Sequence, residues 1–159
     1  MPVAAGSGTT PDWTPALWDV ADRVPGRTLV KGANGSNVEV MTFSASTRPS
    51  DTQVARLITA AVAWVTAVTG PAIDPTLHDL ATATAATYTA ASVELGYPER
   101  QSTNEKDAQA LGATLLKQAE AMRKDLATRN DVLIGEEPAV FEIAPVWSFP
   151  PAAPDWLLF

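Results

Sequence analysis

Hydrophobic positions recur at intervals of three and four residues in four segments of the chain, a spacing typical of helices that bury one face. Ser50 and Gln53 form a capping-box pattern at the start of the second segment, and Gly70 followed by a proline ends it. We expect an all-α fold, a small four-helix bundle, with helices near residues 14–24, 50–69, 74–95 and 102–129. Thr14 is the expected N-cap of the first helix and Asn130 the expected C-terminal cap of the last.

The pattern changes between the first and second helices. Two short β-prone runs, 28–31 and 38–43, lie on either side of Asn34-Gly35. An Asn-Gly pair supplies the positive φ angles that a tight turn between two strands needs. We therefore expect a β-hairpin or an extended loop that projects from the helical body.

Both ends of the chain depart from the helical pattern. Residues 1–13 are small and polar with Gly and Pro, which favours an extended N-terminal arm before a helical domain over 14–130. Residues 131–159 contain five prolines, which exclude a helix, and five aromatic residues, which are unusual in disordered linkers. We expect this C-terminal arm to be buried against another protein, although it could instead fold back over its own helical body. Its candidate docking residues are Phe141, Trp147, Phe149, Trp156, Leu157, Leu158 and Phe159.

Composition narrows the class of protein. Charged residues make up 18% of the chain, below the usual quarter for soluble domains, which favours a surface covered by partners. The net charge of −7 argues against a protein that grips nucleic acid by neutralising phosphates. The absence of cysteine excludes disulfides, zinc-thiolate sites and thiol catalysis.

Two targeting possibilities are rejected. The first residues lack a positively charged region before an apolar run, so we do not expect a signal peptide. The stretch 57–73 is uncharged and approaches the length of a membrane span. It is rich in threonine and is broken by Gly70-Pro71, so we expect no membrane association.

Catalytic and metal-binding patterns are weak in this sequence. His78 is the one histidine, and an interface or surface position is its simplest interpretation. No G-x-S-x-G pattern is present, and the glycines are too scattered for a phosphate-binding loop. We expect neither enzymatic activity, nor a metal, nor a cofactor.

Tryptophans and two charges are the remaining candidates for function. Trp13, Trp18 and Trp64 lie at the edges of predicted helices, where they could pack at the margin of the core or contact another subunit. Arg48 and Glu94 each adjoin apolar structure, and we expect them to pair. The alternative is that they are independent surface charges.

Three stretches, "TFSASTRPSDTQVARLI", "AVTG" and "AASVELGYPE", together resemble the head-to-tail adaptor (connector) proteins of long-tailed bacteriophages, most closely those of phages that infect actinobacteria. The resemblance covers roughly residues 15–129. Two features depart from the family pattern, the longer hairpin and the aromatic C-terminal arm. The matching positions are Thr42, Phe43, Thr47, Arg48, Pro49, Ser50, Val54, Leu57, Ile58, Val68, Gly70, Glu94, Tyr97, Pro98 and Glu99.

The resemblance implies a structural protein of the virion neck, made in the host cytoplasm. Such proteins form a ring beneath the portal, which we expect to have about twelve subunits and closed head-to-tail interfaces. The ring would extend the DNA channel without specific DNA binding and would dock the next neck or tail protein. Two alternatives stay open: another neck or tail-completion protein, or a helical binding or regulatory module with no virion role.

Overall fold

The computed structural model describes residues 10–97 and 105–135. It is mostly helical, with 67% helix, four helices and a small two-stranded hairpin, and is therefore compatible with the expected all-α fold. The elements in chain order are α1 (Leu17–Ala21), a 3-10 turn (Pro25–Thr28), β1 (Leu29–Lys31), β2 (Asn37–Glu39), α2 (Asp51–Thr69), a second 3-10 turn (Pro75–Leu77), α3 (His78–Gly96) and α4 (Glu105–Gly135).

The start and the end of α2 are those that the sequence predicts. The Ser50 hydroxyl accepts a hydrogen bond from the Gln53 amide, and the Ser50 amide donates to the Gln53 side chain, which completes the capping box. Gly70 ends the helix with a φ of 78°, a conformation that glycine adopts without steric cost.

The first helix is shorter than predicted. Thr14 does not cap it, because its hydroxyl instead donates to the Pro11 carbonyl at 2.7 Å and closes a turn. The helix begins at Leu17, where the Asp19 carboxylate accepts a hydrogen bond from the Ala16 amide. Its five residues make little more than one turn, and the chain continues as a 3-10 turn into the hairpin.

The predicted hairpin is present. Strands β1 and β2 pair in antiparallel register, with Leu29 opposite Glu39, Val30 opposite Val38 and Lys31 opposite Asn37. Gly35 has a φ of 73° in the connecting turn, as the Asn-Gly pattern predicts. Asn34 does not adopt a positive φ, and five residues separate Lys31 from Asn37, so the connection is longer than a tight Asn-Gly turn.

Helix α3 lies at the centre of the molecule and packs against α1, α2 and α4. Its buried residues are mostly alanine and threonine, and small side chains allow neighbouring helices to approach closely. Gly112 of α4 marks the tightest approach, since a Cβ added there would lie 2.8 Å from Leu95 Cγ and 3.1 Å from Glu94 Cβ. Buried Thr84 and Thr89 donate their hydroxyls to carbonyls one turn earlier in α3, so they need no partner from another helix.

The end of α4 differs from the prediction. The sequence predicts an end near Arg129 with Asn130 as the cap, but the helix continues to Gly135. Asn130 is buried inside it, and its side chain binds the loop that follows α2 rather than the end of its own helix.

Candidate interaction surfaces

A buried ion pair joins the base of the hairpin to the end of α3. Arg27, in the 3-10 turn before β1, donates from Nε to Glu94 Oε1 at 3.1 Å and from Nη2 to Glu94 Oε2 at 2.7 Å. Its Nη1 donates to the Tyr97 carbonyl at 2.7 Å. The two side chains are only 5% and 7% exposed. This two-point geometry fixes the direction in which the hairpin leaves the helical body.

The predicted pair of Arg48 and Glu94 is wrong, because the partner of Glu94 is Arg27. Arg48 is exposed, while its neighbours Thr47 and Pro49 are both buried. The Thr47 hydroxyl lies 2.8 Å from the Ser44 and Pro49 carbonyls and accepts from the Ser44 amide. These bonds close the turn before α2 and leave the Arg48 side chain in solvent.

Arg27 is the site residue that the sequence did not reveal. It follows Pro25-Gly26 and stands directly before a predicted strand, a position where local structure needs no charge. Arg48 was expected to pair because it adjoins apolar structure without a local need for its charge, and the same is true of Arg27. The choice between the two arginines depends on a contact across 67 residues, which local patterns do not encode.

Trp13 and Trp64 both make contacts within their own chain. Trp13 is 4% exposed and lies in the core cluster between α2 and α3, where the Thr82 hydroxyl donates to its carbonyl. The Trp64 ring stacks on Tyr88 with centroids 4.2 Å apart, and the Arg123 guanidinium lies 3.9 Å from the ring centroid. This stack joins α2, α3 and α4.

Trp18 is the predicted interface tryptophan that faces solvent. It is 59% exposed on α1. Its neighbours Val20 and Ala21 are buried in the core, so α1 turns one face inward and presents Trp18 outward. A large exposed aromatic side chain is a common anchor in protein interfaces.

An apolar end of the molecule is built around Asn130. Its Nδ2 donates to the Thr69 and Ala72 carbonyls at 3.2 and 3.0 Å, and its Oδ1 accepts from the Asp74 amide at 2.9 Å. These bonds hold the C-terminal end of α2 beside the last turns of α4. The exposed apolar side chains of these two helix ends are Val68, Val132, Leu133 and Ile134. We call this set the Asn130 end.

The outward surface of α2 carries little charge. After Arg56, its exposed positions are Thr59, Ala60, Ala63, Ala67 and Val68. Solvent-facing helix surfaces usually carry charged residues. Of the described helices, α2 alone is long and apolar enough to cross a membrane on length and composition, with 28% of that stretch buried. A helix that packs against a partner protein over one face passes the same test, and α2 already packs against α1, α3 and α4.

The hairpin projects into solvent. Residues 33–41 are all exposed, including Val38 at 50%, Val40 at 38% and Met41 at 75%. In the part of the chain that the structure describes, the sheet consists of β1 and β2 alone, so each strand has one free edge.

The titratable groups near the start of α3 have structural roles. The Thr76 hydroxyl and amide donate to the Asp74 carboxylate and lower its pKa from the usual 3.8. His78 Nε2 lies 3.3 Å from the Ile73 carbonyl. Across the described residues, no three His, Cys, Asp or Glu side chains come together in a group that could hold a metal ion.

The candidate docking residues of the C-terminal arm, Phe141 to Phe159, lie outside the described residues. The surfaces that the structure does describe are therefore the Asn130 end, the outward face of α2, the exposed Trp18 and the hairpin. They belong to a mostly helical protein.

No family model matches this chain, and neither the curated proteins nor the solved structures compared with it gave a match.

Proposed function

We propose that this chain is a head-to-tail adaptor, a structural virion protein that forms a ring between the portal and the next neck or tail component of a bacteriophage. In this proposal the four helices pack as a small bundle that forms the body of one subunit. The residues that carry the sequence resemblance support it, because several of them build this body. Ser50 caps α2, Thr47 closes the preceding turn, and Glu94 anchors the hairpin.

The Asn130 end is the observation that carries the proposal. Val132, Leu133 and Ile134 occupy successive exposed positions of the last turn of α4, directly after the exposed Asp131. Solvent-facing positions of a helix are usually polar, so three exposed apolar residues in a row are unusual. Contiguous exposed apolar surface of this kind marks contacts with a partner. The aromatic C-terminal arm follows directly from this turn in the sequence.

The arm and the Asn130 end together form the portal-docking element in this proposal. Trp147, Phe149, Trp156, Leu157, Leu158 and Phe159, with Phe141, would supply apolar anchors. Buried aromatic anchors commonly carry most of the energy of an interface. The prolines between them restrict the φ angles of the free chain, which would lower the entropy lost on docking.

The ring would close through contacts between the outward face of α2 and the neighbouring subunit. Small side chains at Ala60, Ala63 and Ala67 allow close approach, and the surface from Thr59 to Val68 buries no charge when it is covered. The exposed Trp18 would contribute an aromatic anchor to a subunit contact. A head-to-tail contact that closes after about twelve subunits would match the expected portal symmetry.

The negative net charge of the chain suits the wall of a channel through which DNA must slide. No Lys or Arg follows Arg129, whereas the last residues include Asp131, Glu136, Glu137, Glu142 and Asp155. Like charges repel the phosphate backbone and prevent a sticky channel. Tight binding of the purified protein to free duplex DNA at moderate salt would contradict this part of the proposal.

Removal of residues 136–159 tests the docking element. The structure places the cut after Gly135, because a cut after Asn130 would remove the last turn of α4. The truncated protein should keep its helical circular dichroism and its melting temperature but fail to attach to portal-bearing heads. The double variant Trp147→Ala/Trp156→Ala should lose attachment at full length, whereas Ala153→Ser serves as the matched control.

Two outcomes would oppose this assignment. Full attachment by the truncated protein would refute docking through the arm. A large fall in melting temperature would instead mean that the arm covers its own helical body.

A protein that does not bind the portal but binds another neck or tail component would support the alternative role as a tail-completion protein.

A further inference from the structure

The hairpin is too small to be stable alone, but its base is anchored to the helical body. Each strand has three residues, and an isolated two-stranded hairpin is marginally stable in water. The Arg27–Glu94 ion pair holds its base, and the Val40 amide donates a hydrogen bond to the carbonyl of the buried Thr28 at 3.2 Å. The remainder of the hairpin extends from this anchored base into solvent with two unpaired edges.

The free edge of β1 carries backbone groups that a further strand could bond. The hydrogen bonds from Val40 to Thr28 and from Gly32 to Ser36 show that the even-numbered residues of β1 face β2. The amide and carbonyl groups of Leu29 and Lys31 therefore point away from β2, along the free edge of β1. Side chains alternate, so Val30, Val38 and Val40 share one face and Leu29 and Lys31 lie on the other.

The sequence contains one short run that suits this edge. The segment 139–144, AVFEIA, lies between Pro138 and Pro145 and contains Val, Phe and Ile, which favour strands. Its single charge is Glu142. An acidic strand is attracted to the β1 edge, which carries Lys31, and is repelled by the β2 edge, which carries Glu39.

We propose that residues 139–144 of one copy of this chain add a strand to the free edge of β1 in a second copy. With Glu142 opposite Lys31, the alternation of side chains places Phe141 and Ile143 over the face formed by Val30, Val38 and Val40. Backbone hydrogen bonds would supply affinity, and the ion pair and the apolar face would set the register.

The length of the helices favours the second copy. Asn130 is bonded beside the start of α3, whereas Arg27 and Glu94 lie near its end. His78 and Glu94 are separated by about 24 Å along the helix axis. Glu142 lies at most about 25 Å from Gly135 even in a fully extended chain, so a contact with Lys31 of its own chain would need nearly the whole link to run straight along the body. A neighbouring copy can bring its segment to the hairpin without that constraint.

This inference rests on the proposed function only in taking the second copy as the next subunit of a ring. The segment 139–144 would then link neighbouring subunits, which moves Phe141 from the portal contact to the subunit contact. The aromatic residues from Trp147 onward would remain for the portal. The contact is heterologous, because hairpin and segment are different surfaces, and heterologous contacts are the kind that close into rings.

Disulfide trapping between two purified variants tests the strand addition, because the natural chain has no cysteine. Leu29→Cys reports on the β1 edge and Asn37→Cys on the β2 edge. Each is mixed with Val140→Cys or with Ala144→Cys under mild oxidation, so that parallel and antiparallel addition are both sampled. Lys31 and Glu142 stay intact in this first comparison and are substituted only in the second.

We expect Leu29→Cys to form a mixed disulfide with one of the two segment variants several times faster than Asn37→Cys does. Lys31→Glu should slow that reaction, and Glu142→Lys in the other copy should restore it. Equal rates at the two edges, or no trapping at either edge, would overturn the proposal. A doubly substituted chain, Leu29→Cys/Ala144→Cys, that closes internally at high dilution would also overturn it.

The outcomes separate this inference from the proposed function, because the assay contains no portal. Selective trapping in a protein that never binds a portal would support the strand addition and contradict the adaptor role. Ring formation on a portal without selective trapping would support the adaptor role and contradict the strand addition.

Discussion

Arg27 and Glu94 are buried together, although 67 residues separate them in the sequence. The ion pair is satisfied on both sides, since the guanidinium also binds the Tyr97 carbonyl. Burial of a charge without its partner is costly, whereas loss of both charges removes that cost. The pair therefore serves mainly to specify where the hairpin joins α3.

Single substitutions at this pair should be more harmful than the double substitution. Arg27→Met or Glu94→Leu should each lower the free energy of unfolding by about 3–5 kcal/mol, because each leaves one uncompensated buried charge. The double variant should lose less than either single variant. Arg48→Ala is the matched control and should change stability by no more than about 0.5 kcal/mol, because Arg48 is exposed. Urea unfolding of the four variants measures these differences, and a loss at Arg48 equal to that at Arg27 would contradict the structure.

Asn130 provides a second test at the scale of one residue. Asn130→Leu should lower the free energy of unfolding by about 1–3 kcal/mol, because it leaves buried groups of the loop after α2 without their partner. Thr128→Ala, two residues earlier on an exposed face of α4, should be nearly neutral. Hydrogen exchange should quicken at the Asp74 amide in the Asn130 variant. An unchanged stability would mean that the Asn130 end is held by packing alone.

Helix α2 and the hairpin could be predicted from the sequence because local chemistry fixes them. Ser50 and Gln53 satisfy the first amides of α2, and Gly35 adopts the positive φ that its turn needs. The ends of α1 and α4 were misplaced for a different reason. Thr14 finds a closer acceptor in the Pro11 carbonyl, and Asn130 finds partners in another part of the chain. The sequence pattern of a capping residue is the same whether its side chain bonds the end of its own helix or a loop elsewhere in the chain.

The crossing of α3 and α4 depends on Gly112. Gly112→Ala should lower the free energy of unfolding by about 1–3 kcal/mol, because the added Cβ would overlap Leu95 and come close to Glu94. We expect this loss although alanine is a better helix former than glycine. Leu95→Ala in the same chain should recover part of the loss, since it removes the nearest atoms. Thermal unfolding by circular dichroism measures both effects.

Gly96→Ala is the matched control for this element. No atom lies within 4 Å of a Cβ built there, so the substitution should be neutral or slightly stabilising. A Gly112→Ala protein that is more stable than the parent would show that α4 does not approach α3 as closely as described.

The molecule as a whole presents different surfaces at its two ends. The hairpin is anchored near the end of α3, and the Asn130 end lies beside its start. Between them, α2 offers a long outward face with little charge. In the proposed ring, these surfaces would face the component above, the component below and the neighbouring subunit.

The mass of the complex formed with a portal tests the central claim most directly. The purified full-length chain and the portal protein of the phage that the proposal implies would be measured alone and mixed, by size-exclusion chromatography with light scattering. The account predicts that the chain adds to the portal as a ring with the symmetry of the portal, about twelve subunits in the expected case. A chain whose mass and elution are unchanged by the portal would contradict the adaptor role.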